Sequence, residues 1–98
     1  MNRNDVLEAL RKHRRELRDH FGVKSLALFG SVARDESTAR SDVDLLVEFN
    51  RPITLFDLVA LQQRLERALG VAKVQLVMRD AIFPEFRESI LREAIHVD

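Results

Sequence analysis

Asp42 and Asp44 stand two apart at the head of an apolar run, DVDLLVEF, and Gly30 and Ser31 close an earlier run, with residues 32–41 between the two pairs. In an extended strand alternate side chains share a face, so residues two apart lie about 6.6 Å from one another and point the same way. Asp42 and Asp44 then face one side, and Val43, Leu45 and Val47 face the other, into a core. At an effective dielectric of about 20, two carboxylates about 5 Å apart repel by roughly 3 kcal/mol, a substantial part of a small domain's stability. Two readings relieve that repulsion. In one, the strand starts later and both aspartates stand in a hydrated loop, with Ser41 or Asp42 capping a turn. In the other, a divalent cation sits between them; Mg2+ takes one or two protein carboxylates, keeps several waters and completes its shell with substrate phosphates. Gly30 lets a ligand approach the backbone closely, and the amides of Ser31 and Val32 fall where a helix would begin, a natural place for a phosphate oxygen. A glycine before a serine is common at any strand end. The two pairs at this spacing are much more specific together.

The elements that must position these residues can be read from periodicity. Asn4 is placed to cap a helix opening with Asp5, carrying Val6, Leu10 and Leu17 as far as Phe21-Gly22. Val23 to Phe29, VKSLALF, has strand length and ends at Gly30. Ser31 to Glu36 fits one or two helical turns, residues 37–41 form a polar loop, and a second strand runs from about Asp42 to Phe49. Thr54 and Asp57 have the spacing of a capping box, and Leu55, Leu58, Leu61, Leu65 and Leu69 follow helical spacing to Gly70. Val71 to Met78 alternates as a third strand, and Pro84 opens a last amphipathic helix carrying Phe86, Ile90, Leu91 and Ile95. The expected fold is α/β (α+β), a small mixed sheet flanked by helices in the order α-β-α-β-α-β-α, forming one domain over residues 1–98.

Composition narrows the function classes. The 98 residues, 46% hydrophobic and 33% charged, contain no apolar run long enough for a bilayer and no basic-then-apolar leader, so the expected location is cytoplasmic and not membrane-bound. With no cysteines there is no disulfide framework and no thiolate metal site, so a metal would need oxygen or imidazole ligands. Sixteen basic groups balance sixteen acidic ones, which leaves no global field to hold a nucleic-acid backbone. The most basic segment, RKHRRELRDH, puts its charges on the polar side of a helical pattern, as a solvated face does.

LFGSVARDESTARSDVDLLVEF resembles the signature of the polymerase-beta-like nucleotidyltransferases, Gly-Ser followed after ten to twelve residues by Asp-x-Asp, and the chain in length and layout is similar to the minimal nucleotidyltransferase (MNT) branch. The resemblance implies that Asp42 and Asp44 bind one or two Mg2+ and that Gly30 and Ser31 hold the terminal phosphates of ATP or another NTP. An acceptor hydroxyl would attack the α-phosphorus in line and pyrophosphate would leave, with catalysis mostly a matter of positioning and electrostatics. Arg34 and Arg40 flank the loop, each either a surface charge or a phosphate contact; the family often has an arginine at the position of Arg34.

One position departs from that pattern. The family usually carries a third carboxylate on the next strand, in a sequence like V-D-L-V, where this chain has Val74-Gln75-Leu76-Val77. Glutamine cannot accept a hydroxyl proton at neutral pH and is a weaker Mg2+ ligand than a carboxylate. Loss of a general base typically costs about 10²- to 10⁴-fold in rate. Glu48 shares the strand face of Asp44 but lies about 13 Å further along, and Asp80 falls past the third strand, so neither is a convincing substitute. Three readings of Gln75 stay open: a nucleotide-binding relative without catalysis, a slow enzyme, or a variant that traps a complex.

By the same resemblance the expected partner is a HEPN-type toxin, which some members silence by adenylylating a tyrosine; the competing expectation is an antitoxin that acts by binding alone. Direct nucleic-acid binding is not expected from a neutral chain without a template-gripping domain. Homo- or hetero-oligomers are compatible with the length, and Phe83 and Phe86 either supply such a contact or pack in the core, the commoner use of aromatic residues at that spacing.

Overall fold

The computed structural model describes residues 2–36 and 42–97; the predicted polar loop and Arg40 lie outside the described residues. Helix α1 (Arg3–Lys12) is capped by Asn2, whose side chain accepts from the Asp5 amide at 2.9 Å, so the cap stands two residues before the expected Asn4. The expected single first helix is two: α1 stops at His13 and α2 (Arg14–Phe21) follows. His13 donates its ring Nδ1–H to the Ala9 carbonyl at 2.9 Å while its backbone amide also reaches Ala9 and Leu10, a local tie that competes with straight continuation. Glu16 of α2 faces the helix Leu55–Leu69, hereafter α4, and grips Arg64 there with both oxygens, at 2.6 and 2.8 Å. The other charges of the basic segment are largely solvated.

Strand β1 (Val23–Phe29) leads into a single helical turn, α3 (Gly30–Ala33), and β2 (Val43–Phe49) runs back antiparallel to β1. Helix α4 begins on the expected capping box, with the Asp57 amide donating to Thr54 and the Thr54 amide donating to the Asp57 carboxylate. It returns the chain to β3 (Val74–Met78), parallel to β2 and three residues shorter than expected at its start. A 3-10 turn (Arg79–Ala81) and α5 (Pro84–Glu93) follow. Ile95 is not the last apolar position of that helix. It lies in a two-residue strand, β4 (Ile95–His96), which pairs antiparallel with Ala27 and Leu28 of β1. The mixed sheet has the order β3-β2-β1-β4.

The two faces of this sheet are covered unequally. Val43, Leu45 and Val47 join Val6, Leu10, Leu17, Leu61 and Leu65 in the larger core under α1, α2 and α4. On the opposite face, Ala27, Leu46 and Ile82 form a small cluster against Phe29, Val77 and the α5 residues Ile90 and Leu91. Leu55 and Phe56, at the start of α4, are exposed, and so are Phe83 (68%) and Phe86 (55%), which corrects the core reading of those two phenylalanines. Pro84 starts α5 with both rings outside the small cluster, whose α5 contacts begin only at Ile90. Among the described residues no helix is long and apolar enough to cross a membrane.

Candidate active site

Sheet register brings the site together. Phe29 of β1 lies opposite Asp44 of β2, and Asp44 lies opposite Gln75 of β3, so these three side chains form one row on the α5 face. The next row on that face, Ala27, Leu46 and Val77, is apolar and packed. The row of Phe29, Asp44 and Gln75 therefore lies at the open end of the smaller core, with Phe29 packed on that core, where the chain leaves β1 for α3 and enters β2. Asp42 immediately precedes β2, half-buried, with Lys73 at 3.8 Å from its Oδ2. Glu48, at the far end of the same face, accepts from Ser25 Oγ at 2.7 Å and pairs with Arg79 at 3.3 Å. Asp80 falls in the 3-10 turn after β3. Both are thus placed away from the Asp42 end.

Gly30 has a reason to be glycine that the sequence does not show. Its φ of +77° lies in the left-handed region, and a Cβ there would overlap the Asp44 carboxylate, with Cγ at 3.0 Å. The bare backbone of Gly30 is what lets Asp44 sit against the turn. The amide of Gly30 donates to Glu93 Oε1 of α5 at 3.0 Å, and Arg34 reaches the same carboxylate through Nη1, at 3.0 Å to Oε2. Arg34 Nε donates to Glu36 Oε2 at 3.2 Å. The turn is closed by bonds from the amides of Arg34, Asp35 and Glu36 to Gly30, Val32 and Ser31 carbonyls, and Arg3 of α1 donates to the Ala33 carbonyl at 3.3 Å. Ser31 opens this turn half-buried, so the pairs Gly30-Ser31 and Asp42-Asp44 are brought to one end of one face, with Gln75 and Arg34 beside them.

The electrostatics of the carboxylates are unrelieved at Asp44. Burial pushes its carboxyl above the usual aspartate range, the Asp42 charge pushes it further, Arg34 pulls against this, and Glu93 adds to the upward push. Arg34 is held more firmly protonated by its bonds to Glu93 and Glu36. Hard oxygen donors in a pair, half-buried and only partly offset by Arg34 and Lys73, fit a hard divalent cation that takes only one or two protein carboxylates. Among the described residues no group of three or more His, Cys, Asp or Glu side chains is arranged to hold a metal. The carboxylates that stand together at this end of the face are the pair Asp42 and Asp44. Glu93 is the site residue that sequence reasoning missed; its only local signal is a charged residue at the end of an amphipathic helix, which is ordinary.

The family model of the nucleotidyltransferase domain matches residues 10–97. This chain belongs to that family. It is therefore an enzyme of the nucleotidyltransferase type by descent. A protein adenylyltransferase, MntA, of Thermococcus cleftensis is 37% identical over 93 residues, covering 95% of this chain and 93% of that protein. A protein of Methanocaldococcus jannaschii assigned as a protein adenylyltransferase is 39% identical over 95 residues, 96% of each chain. A solved structure described as a minimal nucleotidyltransferase superimposes with a TM-score of 0.79 at 41% identity, over 97% of this chain and 95% of that one. A toxin–antitoxin crystal structure with AMP-PNP matches with a TM-score of 0.69 at 20% identity, over 100% of this chain and 73% of that one, a likeness of fold.

Proposed function

We propose that this chain transfers a nucleoside monophosphate, AMP from ATP, to a hydroxyl on a HEPN-type toxin, and that it acts in the cytoplasm as the antitoxin of the pair. The observation that carries the reading is the seating of Asp44 against the side-chain-free backbone of Gly30, with Asp42 just before the start of the same strand. Relatives named as protein adenylyltransferases support the reaction, and a neighbour crystallised as a toxin–antitoxin pair with AMP-PNP supports nucleotide and partner.

In this reading Asp42 and Asp44 hold Mg2+, which when bound neutralises charge on the transferring phosphoryl group. The Ser31 hydroxyl and the amides of Ser31 and Val32 bind terminal phosphate oxygens, and Gly30 keeps the backbone low enough for Asp44 to sit against the turn. Arg34, always charged, meets a further phosphate oxygen. The small cluster of Ala27, Leu46 and Ile82 closes the lower side of the site to water. An acceptor hydroxyl attacks the α-phosphorus in line and pyrophosphate leaves, so the chain's contribution is chiefly position and field.

Gln75 favours a second reading, because it stands in register beside Asp44, where a carboxylate would take the acceptor's proton. In that reading the chain binds ATP but turns over slowly, and neutralises its toxin by contact. Incubation with α-labelled ATP, Mg2+ and the toxin separates the two. Transfer of label to the toxin, raised about 10²-fold or more by Gln75→Asp, is the expected outcome. No label on the toxin from a chain that still protects cells would leave the binding reading alone, and equal activity in both forms would remove Gln75 from the proton-accepting position.

A further inference from the structure

Glu93 ends α5, 63 residues from Gly30 and 59 from Arg34, yet one carboxylate engages both. Its Oε1 accepts from the Gly30 amide at 3.0 Å, and its Oε2 lies 3.0 Å from Arg34 Nη1. Two consequences follow. An amide has one proton, so the Gly30 N–H is committed to Glu93, which fixes the turn at the point where Asp44 comes against it. Arg34, for its part, is held at Nε by Glu36 and at Nη1 by Glu93. A planar guanidinium gripped at two of its three nitrogens has its plane set, and Nη2 is the edge that neither carboxylate engages.

We propose that Glu93 is a positioning residue for nucleotide binding: it holds Arg34 and the Gly30 turn in the geometry that receives phosphate, and acts through Arg34 rather than on the substrate. The inference rests on the reading of Arg34 as a phosphate contact given above. Two carboxylates beside one guanidinium reduce its net attraction for an anion, which argues for the opposite effect. Against this, a free arginine chain loses rotamer freedom when it captures a phosphate, and one that is already fixed does not. Half of the Glu93 contact is also to an uncharged backbone amide, which no phosphate-binding argument requires to be neutralised. The side chain of Glu93 is only 26% exposed, against 46% for Arg34, so the anchor is the more buried member of the pair. Glu93 is also tied to the sheet through β4, two residues on, so α5 carries the constraint from the β1 edge into the site.

Calorimetric titration of the full chain with ATP and Mg2+ tests this as a cycle. Glu93→Ala is expected to weaken binding about tenfold, but less than twofold when Arg34→Ala is already present, because residues that act as a unit are not additive. Glu93→Gln, which keeps an acceptor for the Gly30 amide, is expected to weaken it about threefold; it serves as the cycle partner if the alanine variant does not fold. Equal losses in both backgrounds, or no loss, overturn the inference while leaving nucleotide binding intact. Tighter binding also overturns it, since Glu93 would then be a competitor for the phosphate. A wild-type chain that binds no ATP overturns the nucleotide reading and this inference with it.

Discussion

Asp44 and Glu48 are carboxylates on the same face of the same strand, four residues apart, and they live in opposite circumstances. Glu48 accepts a 2.7 Å hydrogen bond from Ser25 and pairs with Arg79, and these hold its carboxyl below the usual range. Asp44 is pushed above it, first by burial and then by the charge of Asp42. One end of the face has been neutralised by its neighbours and the other has been left charged and crowded. A fold gains nothing from the second arrangement unless something arrives to relieve it. The other face of β2 makes the same point from outside: Val43, Leu45 and Val47 are buried in the larger core and have only packing to do.

The two carboxylates should differ most in their effect on activity. Asp44→Asn should lower transfer from α-labelled ATP by about 10²- to 10³-fold, the usual cost of removing one electrostatic group from a reacting site. Glu48→Gln, an equal change in charge on the same face, should leave transfer within about twofold, because surface changes away from such a site act weakly. Equal losses from the two would mean that the whole face, not its Asp42 end, carries the chemistry.

Stability should respond in the reverse order. Leu45 is fully buried on the far face, and Leu45→Ala should cost about 2–5 kcal/mol, lowering the melting temperature by more than about 10 °C. Asp44→Asn removes a destabilising charge and should not lower it at all. A thermal melt of both variants checks the division of labour between the faces, and a loss at Asp44 comparable to that at Leu45 would show that Asp44 is structural.

Much of this division was legible from local pattern. The alternation Val43, Asp44, Leu45 assigns the faces, and the Thr54–Asp57 capping box and leucines at helical spacing fix α4. What the pattern could not carry is contact between distant segments. Glu93 and Gly30 meet only because α5 lies across the sheet, and Ile95 pairs with Leu28 through two residues, too few to show a strand period. The break at His13 was hidden because it comes from a side chain bonding a neighbouring carbonyl, with no glycine or proline to mark it. Core was the commoner of the two uses open to Phe83 and Phe86 from their spacing, but the helix they precede and begin meets the small cluster only from Ile90 onward.

The smallest expected effect is the most direct test of the contrast, since it reads the two carboxylates by sign. A carboxyl whose folded value is raised, as at Asp44, contributes stability that is fully present below its ordinary value of 3.8 and is lost as pH rises through the raised one. Asp44 therefore weakens the metal-free fold at neutral pH, and Asp44→Asn should raise the melting temperature there, a gain that disappears below the ordinary value. Glu48 runs the other way. Its folded value is lowered, so its contribution is present above the ordinary value of 4.5 and is lost as pH falls through the lowered one. Glu48→Gln should accordingly lower the melting temperature at pH 7 slightly and have no effect in strong acid. Melting curves from about pH 3 to pH 7 in chelator, for the wild type and both variants, give two differences of opposite sign that converge on acidification. If both variants shift the same way at pH 7, the crowding at Asp44 is already relieved within the protein, by Arg34 and Lys73, and the case for a cation there loses its electrostatic support.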